Sequence, residues 1–172
     1  AQEDLSINGH SLEIRVYAED PKNNFLPDIG KLVTYKRPQG PGVRVDDTLE
    51  EGMDIPIYYD PMIAKLITHG KNREEAIQRM VRAIDEYEIS GLQTTLPFCK
   101  YAITHDAFIS GDFDTHFVSH YFSDPSVLDA HNSDEIEAAA ILVSELLNNN
   151  QTKSTQSTNK SQSNWKRNRM LS

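Results

Sequence analysis

Two arginines stand where their neighbours could turn a permanent charge to chemical use. In "HSLEIRVYAED", residues 10–20, strict alternation puts Glu13, Arg15, Tyr17 and Glu19 on one side of an extended chain and Leu12, Ile14, Val16 and Ala18 on the other. Two readings of Arg15 are open. It is an exposed strand residue in cross-strand ion pairs, or it is a planar guanidinium that two acids hold toward an anion formed during a reaction. The second arginine, Arg44, follows "RPQGPG", where proline and glycine fix a turn and so present the next side chain in a set direction. Asp46 shares its face. A rigid hairpin turn with a surface arginine, an anion site and a subunit contact all fit that pattern.

Other reactive side chains carry less. Lys65, inside "MIAKLITHG", can lay its stem along a sheet face with the amine in water. Tyr58, Tyr59 and Asp60 lie together after Pro56 and make a partner set for a nearby arginine. His116 and His120 have the i, i+4 spacing that stacks two imidazoles on one helix face, but no HExxH frame surrounds them and no third ligand is identified, so no metal site is assigned. Cys99 sits among apolar helix residues and reads as packing. There is no Walker loop, no GxGxxG, no Ser-centred nucleophile elbow and no acidic magnesium cluster. By itself the chain lacks the parts to activate ATP or to hydrolyse an acyl bond.

The elements that must position these residues fall into three zones. Residues 1–122 read as an α+β domain, a mainly antiparallel β-sheet with helices packed on it. Strands are expected in "SLEIRVYAED", "GKLVTYKR", "GVRVDDTL", "MDIPIYY" and "MIAKLITHG", divided by Pro/Gly/Asn clusters. From Asn72 the period changes: in "NREEAIQRMVRAIDEYE" the residues Ala76, Ile77, Met80, Val81 and Ile84 form one stripe behind an Asn72/Glu75 capping pair. Gly91 ends that segment, a second helix begins near Pro97, and a third occupies "THFVSHYF". Residues 123–150 read as a linker and an amphipathic helix. Residues 151–172 form a low-complexity basic tail with too little apolar matter to offset its ordering entropy. The Asn-x-Ser/Thr matches at Asn150 and Asn159 have no secretory signal to give them meaning.

Charge divides the same way. Residues 1–150 hold 12 Lys/Arg against 26 Asp/Glu, a balance of −14, while residues 151–172 hold five Lys/Arg and no acid, which together recover the net −9 of the chain. So acidic a body repels a phosphate backbone, which argues against a nucleic-acid partner. No stretch approaches the roughly 18 consecutive apolar residues of a membrane span. A cytoplasmic setting is the default, and one cysteine among 172 residues agrees with a reducing compartment.

Several stretches taken in order resemble the C-terminal domain of biotin carboxylase, the ATP-using component of biotin-dependent carboxylases such as those acting on acetyl-CoA or propionyl-CoA. They are "GHSLEIRVYAEDP" at 9–21, "FLPDIGKL" at 25–32, "GPGVRVDD" at 40–47, "YYDPMIAKLITHGKNREEAIQRM" at 58–80 and "FISGDFDTHFV" at 108–118. The similarity runs from about Leu5 to Phe122. It implies that Arg15 faces the reaction centre as the catalytic and biotin/bicarbonate-binding residue, meeting negative charge on the ureido oxygen of biotin. It implies, too, that Pro41, Arg44 and Asp60 lie at a homodimer interface. The whole enzyme would be an ATP-dependent ligase of fatty acid metabolism that forms a C–N bond on biotin. Its biotin would be borne by a carrier protein or domain, its ATP and Mg2+ bound by a region N-terminal to this one, and a carboxyltransferase component would be its partner. The fragment alone is not expected to be active.

Three positions depart from the pattern: Gln39 stands for a usual glycine, Pro61 for a small polar residue, and Thr95 for a common asparagine. All three are read as remote from Arg15. Two other functions stay open at this stage. One is a non-catalytic dimerisation or docking module of the same fold, with the 134–148 helix and basic tail as its binding element. The other is an anion-binding domain that uses Arg15 and Arg44 together, which requires both to reach one pocket.

Overall fold

The alternation of apolar residues at 10–17 and 62–70 is long enough to pair two antiparallel strands, and that pair is the base of the fold. The computed structural model describes residues 2–55, 60–129 and 133–151. Among them are β1 (His10–Tyr17), β2 (Glu19–Asp20), β3 (Leu26–Pro27), β4 (Thr34–Lys36), β5 (Val43–Asp47), β6 (Met62–Gly70) and β7 (Glu88–Ser90). The helices are α1 (Arg73–Asp85), α2 (Leu96–Thr104), α3 (Asp106–Ser110), α4 (Phe117–Tyr121) and α5 (Ser133–Gln151). The class is α+β, as the pattern predicts. The chain divides into two units, Ala1–Leu128 and Asp129–Ser172.

In the first unit β6 is the central strand of a three-stranded antiparallel sheet ordered β1-β6-β5. Its sequence explains the position: Ala64, Leu66 and Thr68 are buried on the covered face of a strand flanked on both edges, and Ile63, beside the register shift with β1, is buried as well. Leu66 pairs with Ile14 on one side and Val45 on the other, so an apolar row crosses the inner face. Helix α1 covers that face with Ala76, Ile77, Met80, Ala83 and Ile84; four of these are in the expected stripe, while Ala83 takes the buried place expected of Val81, which is only half-buried. Thr68 is fully buried on the same face, and its hydroxyl is satisfied by donating to the Ala76 carbonyl at 2.9 Å. The Asn72 side chain caps α1 by accepting from the Glu75 amide at 2.9 Å, while Glu75 reaches back to the Lys71 amide instead of closing the box on Asn72 itself.

Helical spacing in "NREEAIQRMVRAIDEYE" extends to Glu88, but α1 stops at Asp85 and Glu88–Ser90 becomes β7, paired with β4. The cause is Tyr87. Its ring is buried, and its hydroxyl lies 2.7 Å from that of Tyr35, which in turn donates to Asp47 at 2.5 Å. Burial pushes the Tyr87 hydroxyl up to about 12 and that of Tyr35 higher still, so both remain neutral donors at physiological pH. This tie between β4, β5 and the segment after α1 is long-range and has no period in the sequence.

Other expected elements shift. Of "MDIPIYY", the part Met53–Ile55 forms only one isolated bridge, Asp54 with Lys31, and residues 56–59 lie outside the described residues. Of "GKLVTYKR" only Thr34–Lys36 pairs as a strand. Helix α3 was not visible in the spacing: it is five residues long, capped by the His105 imidazole accepting from the Ala107 amide at 3.2 Å and closed by Gly111 at φ 83. The first unit runs on past the expected edge at 122, because a 3-10 turn at Pro125–Leu128 buries Leu128. In the second unit α5 forms where helical spacing predicts it, with Ile141, Leu142, Val143, Leu146 and Leu147 exposed. The expected disordered tail lies outside the described residues from 152 onward, and Asn159 with it.

Candidate functional site

The face of the sheet turned away from α1 carries the polar residues. Register fixes their arrangement: Arg15 on β1 pairs with Lys65 on β6, and Lys65 pairs with Asp46 on β5, so a cation, a cation and an acid line one row across three strands. The next row is Glu13, Ile67 and Arg44. Alternation therefore does for the sheet what was expected of it on β1, where Arg15 is exposed and Val16 fully buried.

Arg15 is half open to solvent, at 59% side-chain exposure, with its Nε 3.8 Å from a Glu13 carboxylate oxygen. Its guanidinium is held more firmly in the charged state by a hydrogen bond to the Tyr17 side chain, then by the charges of Glu13 and Asp60. Asp60 also acts on Glu19, whose carboxyl is pushed above the usual range by partial burial first and by Asp60 second. Tyr17, Glu13 and Asp60 thus act on one guanidinium, and of the expected set Tyr58, Tyr59 and Asp60 it is Asp60 that does so. Tyr58 and Tyr59 lie outside the described residues.

Arg44 stands apart from this group. It is 73% exposed and spends its fork on its own strand neighbour, Nε and one terminal nitrogen each donating to Asp46 at 2.8 Å. That bidentate bond holds the Asp46 carboxyl below its ordinary range. The order β1-β6-β5 puts two strand spacings between Arg15 and Arg44, about 10 Å. With one fork already committed, the two arginines do not converge on one small anion. The turn before Arg44 is as rigid as its composition predicts. Gly42 has φ +73, and a Cβ there would lie 2.5 Å from the His69 carbonyl, whose own amide donates to Gly42 at 2.9 Å. Pro41 is exposed at the tip. Asp60, grouped with Pro41 and Arg44 by resemblance, makes its described electrostatic contacts with Arg15 and Glu19.

The remaining candidates settle as side features. Lys65 keeps its amine on the open face, close enough to Asp46 to act on it. The Cys99 thiol is pushed up to about 11 by burial against the core, so it is no thiolate at neutral pH. His116 and His120 stack at 5.8 Å, with His116 also 3.3 Å from Asp114. Among the described residues no group of three or more His, Cys, Asp or Glu is arranged to hold a metal ion. The described residues thus offer no such cluster for Mg2+.

Sequence reasoning missed Thr95. Taken as remote from Arg15, it is in contact with that residue's backbone. Its hydroxyl accepts from the Tyr17 amide at 3.0 Å and donates to the Arg15 carbonyl at 3.4 Å, and its own amide donates to the Tyr17 carbonyl at 3.1 Å. The one signal available was a threonine directly before a helix that starts Leu-Pro, a capping position.

Comparison with known proteins bears on this geometry. A family model described as the biotin carboxylase C-terminal domain matches residues 13–120. Biotin carboxylase 1 of Bacillus subtilis is 48% identical over 120 residues, 70% of this chain and 27% of that protein. The mitochondrial propionyl-CoA carboxylase alpha chain of Homo sapiens is 48% identical over 125 residues, 72% of this chain and 17% of that one. Among solved structures, the biotin carboxylase domain dimer of Hydrogenobacter thermophilus 2-oxoglutarate carboxylase, in complex with MgADP, ADP and bicarbonate, aligns with TM-score 0.69 and 40% identity over 73% of this chain and 27% of that chain. The chain spans 27% or less of each of these three.

Proposed function

The chain belongs to the biotin carboxylase C-terminal domain family, and from that premise we propose that it supplies the biotin-side wall of the active site in an ATP- and bicarbonate-dependent biotin carboxylase. Biotin, borne by a carrier protein or domain, supplies a ureido group that accepts the carboxyl at nitrogen. When that nitrogen loses its proton, negative charge gathers on the ureido oxygen, and Arg15 is the group in this chain suited to receive it. The observation that carries this reading is the setting of Arg15: an open guanidinium on a sheet strand, steadied by Tyr17 and Glu13 yet free to donate outward. A positive group already oriented needs no reorganisation when the charge develops, which is the source of its effect. ATP and Mg2+ belong to another part of the enzyme in this reading, and a carboxyltransferase component receives the carboxyl group. The setting is cytoplasmic and the metabolism that of acyl-CoA and fatty acids. The direct test supplies the intact enzyme bearing this domain with MgATP, bicarbonate and free biotin. ADP and carboxybiotin should form together, and ATP cleavage that ignores biotin would end the proposal.

Pro41 and Arg44 are assigned to a homodimer surface, with Asp60 at its border toward Arg15. The Gly42 turn holds Pro41 forward, and the Arg44–Asp46 pair keeps a flat guanidinium on the surface, the type of residue enriched at subunit contacts. A reversal of charge, Arg44→Glu, puts a second acid beside Asp46 on both sides of a twofold contact. Dimer dissociation is expected to become at least roughly tenfold easier, since like charges meeting across an interface are strongly unfavourable. Turnover per active site should change less. Sedimentation velocity at low protein concentration reads the result, and an unchanged profile would remove Arg44 from the interface.

A further inference from the structure

Thr95 occupies the residue before α2, where a threonine ordinarily accepts from an amide of its own helix's first turn. It makes no such bond. The hydroxyl is turned instead to β1, where it accepts from the Tyr17 amide and donates to the Arg15 carbonyl, and the Thr95 amide completes a third bond to the Tyr17 carbonyl. β1 is an edge strand with β6 as its one neighbour in the sheet, and these three bonds engage the end of its other edge, at Arg15 and Tyr17. They fall where the ladder itself loses control: between Val16 and Tyr17 the register with β6 shifts, from Val16 opposite Ala64 to Tyr17 opposite Met62. The extra residue, Ile63, is on β6, so the ladder no longer fixes how Tyr17 sits against its neighbour. The side chain that steadies the Arg15 guanidinium is that of Tyr17, on the far side of the shift. Thr95 itself is 5% exposed and its carbonyl is fixed by the Cys99 amide at 2.9 Å, so the clamp is anchored in a helix and shielded from water.

We propose that Thr95 is a positioning residue for the reaction: by clamping the backbone of Arg15 and Tyr17 across the register shift, it sets the direction in which the Arg15 guanidinium points. This rests on the catalytic reading of Arg15 and deepens it. The clamp is separable from mere stability because it acts through one side chain. In the intact enzyme, Thr95→Val keeps the shape and removes the hydroxyl, leaving the Tyr17 amide and Arg15 carbonyl without that partner, while Thr95→Ser keeps the hydroxyl.

Free-biotin carboxylation is measured for Thr95→Val, Thr95→Ser, Arg15→Ala and the Arg15→Ala/Thr95→Val double variant. Thr95→Val is expected to lower kcat/KM for biotin roughly tenfold, the scale of a small misplacement of a reacting group, with KM for ATP unchanged. Thr95→Ser should restore most of it. In the Arg15→Ala background the valine should cost nothing further, because there is no guanidinium left to aim. An equal loss in both backgrounds, a shift in the KM for ATP of the same size, or a silent Thr95→Val would each overturn the clamp. If Thr95→Val does not fold, Thr95→Ala takes its place, and failure of both to fold shows a purely structural residue and likewise overturns it. Near-normal turnover by Arg15→Ala is the separate result that removes the catalytic reading itself.

Discussion

Arg15→Ala in the intact enzyme is expected to lower biotin carboxylation by roughly 10² to 10³-fold, the size of effect seen when one preorganised donor to a developing oxyanion is lost. The protein should keep its fold. Arg15 is exposed, packs no core residue, and leaves behind no buried partner in need of a counter-charge, so its near-UV circular dichroism and melting behaviour should match the parent. Bicarbonate-dependent ATP cleavage, measured beside carboxylation, separates the steps: if the arginine acts on the biotin side, carboxylation falls much further than cleavage. Arg15→Lys refines the test, because an ammonium keeps the charge but loses the planar fork. It should recover only part of the loss. Activity in Arg15→Ala within a few fold of the parent would make the arginine surface decoration and this domain chiefly a scaffold.

What could be read from the sequence follows from the range of the forces involved. Alternation on β1 and the stripe on α1 are local, and they placed Arg15 outward and Met80 inward without any knowledge of partners. The strand order was not local. That Arg15 would share a row with Lys65 and Asp46 depends on which strands become neighbours and in which register, and nothing within "SLEIRVYAED" states it. Tyr87 shows the same limit in another way: helical spacing carried the segment through Glu88, and a buried hydroxyl bond to Tyr35, 52 residues away in sequence, ended the helix early. Thr95 is the instructive case for the site. A threonine before Leu-Pro is a cap by every local rule, yet the unpaired edge of β1 is the stronger claimant for its hydroxyl, and that edge comes from 80 residues earlier.

The same strand order makes Leu66→Ala the substitution with the largest expected cost to stability. Leu66 is fully buried at the middle of the central strand, with Ile14 and Val45 beside it in the inner row and Met80 of α1 in the same core. Its truncation loses the transfer energy of the removed carbons and leaves a cavity that three elements cannot easily close, about 3–5 kcal/mol. Against a total of roughly 5–15 kcal/mol for a domain, that removes much of the margin. The urea midpoint should fall with little change in slope, and Leu66→Met, which conserves volume, should cost less than about 1.5 kcal/mol. A loss under about 1 kcal/mol for Leu66→Ala would mean that β6 is not packed as described. The consequence reaches the other face, since Lys65 and Ile67, on either side of Leu66, carry the rows that hold Arg15, Glu13, Arg44 and Asp46 in register. Where Leu66→Ala still folds, biotin carboxylation should therefore fall with rising temperature sooner than in the parent, whereas Arg15→Ala should be equally impaired at every temperature. One residue holds the platform and the other is proposed to act on biotin from it, and the two temperature profiles tell them apart.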